Sequence, residues 1–119
     1  MINSILNSVK KTAAGLTAED DSFDDDIVIF INSAFATLKQ CGVFNTPYVI
    51  TGASETWSDC LGDDVYKLAS VPAYVSLYVK SKFDPNQNGT LQNSLLEELK
   101  EMEQRFIYEC DPKYDETSL

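Results

Sequence analysis

Apolar positions along this chain recur mostly at the three- and four-residue spacing of helices, and a single short stretch is rich in strand-favouring residues. Ile2, Ile5, Leu6 and Val9 share one face of a short N-terminal helix that Gly15 is placed to end. Beyond a polar, acidic stretch, Ile27, Phe30, Ile31, Ala34, Phe35 and Leu38 fall at i, i+3, i+4, i+7, i+8 and i+11, which predicts a helix with a wide buried stripe. Ser22, followed by Phe23, Asp24 and Asp25, reads as the N-cap of that helix with carboxylates in its first turn, and Gly42 stands where a capping glycine closes it.

Within residues 43–53, Tyr48, Val49, Ile50 and Thr51 favour extended backbone and are bounded by Pro47 and Gly52. Ser54 then opens a short helical turn through Trp57 to Leu61, with Glu55 in its first turn. From Asp63 a longer helix runs toward Phe83 with Leu68, Val71, Val75, Tyr78 and Val79 on one side. Pro72 lacks a backbone donor and predicts a kink or break there. A last helix starts after Thr90, its N-cap, and lines up Leu91, Leu95, Leu99, Met102 and Phe106, with Leu96 and Ile107 widening the stripe. The fold class expected is mainly α: one domain over residues 1–119, a small bundle of four to five helices, a short extended segment near 48–51 and a mobile polar tail from about residue 111.

Charge narrows the function. Nine Lys and Arg stand against nineteen Asp and Glu with no histidine, giving −10. A free-standing nucleic-acid binder needs a basic face, so sequence-specific DNA binding is not expected. Lys10 and Lys11 make the N-terminal segment the most basic part of the chain. An acidic surface suits basic partners, or a passage through which DNA slides without sticking. Cys41, Cys60 and Cys110 are odd in number and far apart, and read as reduced thiols and not a disulfide framework. MINSILNSVKK carries its positive charge after its apolar positions, unlike a signal peptide, and no run approaches bilayer length, so a soluble intracellular protein is expected.

The stretch DPNQNGTLQNSL, residues 84–95, opens like a calcium loop, with Asp84, Asn86 and Asn88 at alternate positions and Gly89 next. Its twelfth position is Leu95, where such a loop needs a bidentate carboxylate, and Leu95 belongs to the apolar stripe of the last helix. A helix-to-helix turn fits these residues better. The run EDDSFDDD, residues 19–26, lacks the alternation and glycine of a dedicated cation loop and fits a solvated helix start. With no histidine, no G-x-S-x-G elbow, no phosphate-binding glycine loop and carboxylates in exposed runs, no catalytic, cofactor-binding or metal-ligating residue is assigned, and no enzyme is expected.

The order of segments has a familiar form. FDDDI leading into FINSAF and Gly42–Val43, W-S-D at Trp57–Asp59, and Y-V-x-L-Y-V-K-x-x-F-D-P at Tyr74–Pro85 are short structural motifs. Together, from Ile5 to about Ile107, they resemble the head–tail connector proteins of long-tailed bacteriophages. The resemblance implies a helical adaptor that assembles as a ring, twelvefold when mounted on the portal, after DNA packaging. That ring extends the DNA channel, lets DNA pass without sequence-specific binding, and docks the tail or a head-closure protein. Partners would be other copies of the chain, the portal protein and the tail or closure protein, with no membrane and no cofactor. The location would be the virion head–tail junction, after assembly in the bacterial host cytoplasm.

Candidate subunit-interface residues follow from surplus apolar surface: Phe30 beside Ile29 and Ile31, then Tyr66, Tyr74 and Tyr78, with Trp57 as either an interface anchor or a core residue. A competing reading is an acidic inhibitory or DNA-mimic protein, whose carboxylates would occupy a basic site on a host enzyme.

Overall fold

A computed structural model describes residues 4–17, 19–44, 48–83 and 89–110, side chains at 83, 89–92 and 110 excepted. Five α-helices and no strand occur among the described residues. Helix α1 (Ile5–Val9) is capped by the Ser4 hydroxyl, which accepts from the Asn7 amide at 3.3 Å, and widens into a π-type turn over Lys10–Ala14. Gly15 ends it at φ 68°, a left-handed conformation that costs a glycine little. Ile2 lies outside the described residues.

Helix α2 (Asp24–Gln40) buries Ile27, Ile31, Ala34, Phe35 and Leu38, the stripe its sequence predicts. Its end is a Schellman motif. Gly42 N–H donates to Lys39 C=O and Val43 N–H to Leu38 C=O, both at 3.0 Å, with Gly42 at φ 93°. Val43 and Leu38, the apolar pair that accompanies such a motif, are both buried. Ser22 is not the cap. Phe23 occupies that position without a side-chain bond, and the Ser22 amide instead donates to Asp20 Oδ1 at 3.1 Å in a local turn.

Residues 48–51 are irregular and make no ladder. The side chain of Asn32 supplies what a neighbouring strand would: Oδ1 accepts from Ile50 N–H at 2.8 Å, and Nδ2 donates to Ile50 C=O at 3.0 Å. The short helix α3 (Trp57–Leu61) starts later than Ser54. Thr56 and Asp59 form a reciprocal capping box, and Glu55 accepts instead from Thr51 N–H, Thr51 Oγ1 and Gly52 N–H.

Helix α4 (Val65–Phe83) passes through Pro72 without a break. Asp64 sets its start, its Oδ1 accepting from Lys67 N–H at 3.1 Å. The missing proline donor is tolerated because Val71, Tyr74 and Val75 around it are fully buried, and burying each such side chain is worth about 1.5–3 kcal/mol. Helix α5 (Gly89–Cys110) begins before Thr90, so Thr90 is helical and not its cap. Residues 84–88, including the turn expected there, and residues 111–119, the expected tail, lie outside the described residues.

Helix α4 is the hub, packing on α1, the π-type turn, α2, α3 and α5. Helix α5 packs chiefly on α4 alone. Its buried strip is therefore narrow: Leu95, Leu99 and Phe106 are covered, while Leu96 and Ile107, expected to widen the strip, stay 46% and 37% exposed.

Candidate functional site

The five residues that sequence suggests for subunit contact are not one surface. Trp57 is buried, its indole donating to Ser8 Oγ at 2.9 Å and its ring meeting Phe35 edge-on at 6.3 Å. Tyr74 is fully buried, donating to Glu103 Oε2 at 2.7 Å and packing edge-on against Phe106 at 5.7 Å. Tyr78 is half-buried beside Tyr74 at 6.1 Å, with the Lys82 ammonium 5.6 Å from its ring centre. Phe30 is partly buried against the core. Tyr66 keeps 44% of its surface open, while its ring meets Phe106 at 6.5 Å. Tyr66 and Tyr74 thus share the seam between α4 and α5. Tyr78 lies beside Tyr74 with its hydroxyl bonded to Ser33 of α2, and Trp57 belongs to a separate aromatic cluster around Phe35.

Ile29, which the sequence names beside Phe30 as surplus apolar surface, is 60% exposed. Phe23, Val49, Val65 and Tyr108 are exposed where sequence reasoning did not place them, at 43%, 61%, 80% and 41%. A second sequence signal points to Ile29. Residues 27–38, IVIFINSAFATL, carry no charge over three helical turns, whereas a helix with one solvated face normally places charge on it.

The basic N-terminal segment is not a basic face. Lys10 is fully buried with its ammonium 2.8 Å from Asp24 Oδ1, tying the π-type turn to the start of α2, while Lys11 is exposed. Among the described residues no cluster of carboxylates or thiols is arranged to hold a metal ion.

Groups whose acidity is perturbed move away from reactivity. Burial pushes the free Cys60 thiol up to about 12, so it stays protonated at neutral pH and is a weak nucleophile. Burial, then Glu103, raises Tyr74, and the same two influences raise Tyr78. Glu55 is lowered, first by the Thr51 amide it accepts from, and serves as an ionised acceptor that folds its own loop. Tyr74 and Glu55 spend their polar atoms on bonds inside the chain.

The chain is thus a small helical domain with polar pins inside and several apolar side chains outside. The family model for phage connector proteins matches residues 5–113, and the chain belongs to that family. Its role is that of a structural phage connector. No curated protein and no solved structure matches the chain. No described helix is long and apolar enough to cross a membrane.

Proposed function

We propose that this protein mounts as a ring on the portal of a DNA-filled phage head and joins it to the tail or to a head-closure protein, lengthening the DNA channel. The observation that carries the reading is the family match over residues 5–113, nearly the whole chain. Exposed Ile29, Val49, Val65 and Tyr66 support it, because such apolar surface is what contact between subunits covers. A charge of −10 suits a channel through which DNA passes without binding. On a twelvefold portal the ring takes the portal's symmetry, with neighbouring copies, the portal and the tail-side protein as its partners. The role is structural, without turnover or a cofactor.

The DNA-mimic alternative is disfavoured by how the acids are used. Asp20 holds the Ser22 amide, Asp24 holds Lys10 and Glu103 holds Tyr74, so these three are engaged within the chain. Electron microscopy of the purified protein at high concentration, alone and with the portal of the same phage, tests the proposal. Rings, or an added layer on the portal, are expected. A protein that remains monomeric and ignores the portal overturns it and returns the inhibitor reading.

A further inference from the structure

Among the described residues, two outer helix strips are free of exposed charge, and they lie on different helices. On α2, Ile29 and Ala36 are exposed at i and i+7 with Ser33 between them at the strip's edge, its hydroxyl bonded to Tyr78 of the same chain. Val49 flanks Ala36, and no charged residue lies between Asp26 and Lys39. On α4, Val65, Ala69 and Ala73 are exposed at i, i+4 and i+8, flanked by Tyr66. The one charged residue between Asp64 and Lys80 is Lys67, half-buried and donating to Val43 C=O at 2.9 Å.

The ends of the strips are charged in the same order. Each starts with paired aspartates, Asp25–Asp26 on α2 and Asp63–Asp64 on α4, and each finishes with an exposed lysine, Lys39 or Lys80. At about 1.5 Å per residue, Asp26 to Lys39 spans roughly 20 Å and Asp64 to Lys80 roughly 24 Å. Laid antiparallel, the strips place each lysine against the other strip's aspartates and oppose the two helix dipoles. Laid parallel, they place like charge on like.

We infer that the α2 strip of one copy packs antiparallel on the α4 strip of the next, a head-to-tail contact between two different faces of the same chain. This rests on the ring reading above and adds which faces meet. A chain of net charge −10 repels a second copy over most of its surface, so neighbours meet where carboxylates are absent or answered by lysine. Two unlike patches give a heterologous interface, which closes into a ring when the rotation between copies closes.

The test uses Ala36→Glu on α2 and Ala73→Glu on α4, both at exposed helical positions, with Ser94→Glu on α5 as the control. Thermal melts establish that each variant folds like wild type. Sedimentation and electron microscopy then follow assembly at concentrations where the wild type forms rings. The expected result is that each α2 or α4 variant alone is monomeric and the control still forms rings. Mixing the two variants gives a one-to-one dimer that grows no further, because one intact strip of each kind remains.

Rings from either single variant overturn the face assignment and leave the connector reading standing. Monomers that do not pair on mixing overturn the pairing of α2 with α4. If rings form only on the portal, a reconstruction of that layer shows the neighbour contact directly: α2 against α4 supports the inference, and any other contact overturns it. A wild type that neither self-associates nor binds the portal overturns the connector reading together with the inference.

Discussion

The Lys10–Asp24 pair makes an asymmetric prediction. Its partners sit 2.8 Å apart in unlike surroundings, Lys10 wholly buried and the Asp24 side chain 31% exposed. Asp24→Ala takes the carboxylate away from a buried ammonium, a loss of about 3–5 kcal/mol for breaking a buried pair from one side. Lys10→Met keeps most of the stem's packing and leaves a carboxylate that is partly exposed as a whole but whose buried Oδ1 loses the lysine, so the cost is about 1.5–3 kcal/mol, near that of one charged hydrogen bond. Combining Lys10→Met with Asp24→Asn removes both charges and is expected to cost only about 1 kcal/mol, including a few tenths for the lost helix-dipole interaction of Asp24. The double variant is thus more stable than Asp24→Ala. Urea unfolding followed by circular dichroism at neutral pH measures all three, the slope checking that unfolding stays cooperative. A Lys10→Met loss equal to or larger than that of Asp24→Ala would refute the reasoning, since exposure would then not decide which partner is costly to strand.

Asn32→Ala removes both bonds to the buried backbone of Ile50 and is expected to cost about 2–4 kcal/mol, read as a lower urea midpoint; Asn32→Asp, which keeps only the acceptor, falls between it and wild type. Pro72→Ala restores the one donor missing inside α4 and is expected to stabilise the protein by about 1–3 kcal/mol, seen as a higher melting temperature. Tyr74 has its folded pKa raised by burial and then by Glu103, so its contribution is complete below the ordinary tyrosine value of 10.0 and is lost as pH rises past it. Alkaline unfolding of the wild type should therefore coincide with a jump in phenolate absorbance, whereas Tyr74→Phe, already weaker by about 1.5–3 kcal/mol at neutral pH, loses less on going alkaline.

How much of the fold is legible in the sequence depends on the range of the interaction. The stripe of α2 and its glycine cap are set by residues within two turns, and both appear where the sequence places them. Thr56 and Asp59 are an equally local signature, but Ser54 offers a competing start two residues earlier. The pins that define the tertiary structure join distant positions: Lys10 to Asp24, Asn32 to Ile50, Tyr74 to Glu103, Trp57 to Ser8. No periodicity announces them. Leu96 and Ile107 depart from expectation for a related reason, because the width of a buried strip depends on how many neighbours a helix has, and α5 has chiefly one. The assembly candidates are the least legible. Aromatic residues suit a core and an interface equally, so composition points to Trp57 and Tyr74, which the protomer itself buries.

The pins also bear on how a ring of such chains would form. Ile5, Val9, Ile27, Ile31, Val71, Tyr74, Val75 and Val79 are fully enclosed by the chain's own elements, and no neighbour is needed to cover them. A core closed in this way needs no neighbour to complete it, so association of the described elements would carry the cost of lost rigid-body freedom and local side-chain ordering. What then decides whether copies join is the balance at the outer strips, where modest apolar area works against the repulsion of two chains of charge −10. A template of fixed symmetry tips such a balance by holding copies side by side at high effective concentration. If copies ring the portal as proposed, contact that is firmer there than in solution would follow from a core secured by internal polar pins and outer strips that carry little charge.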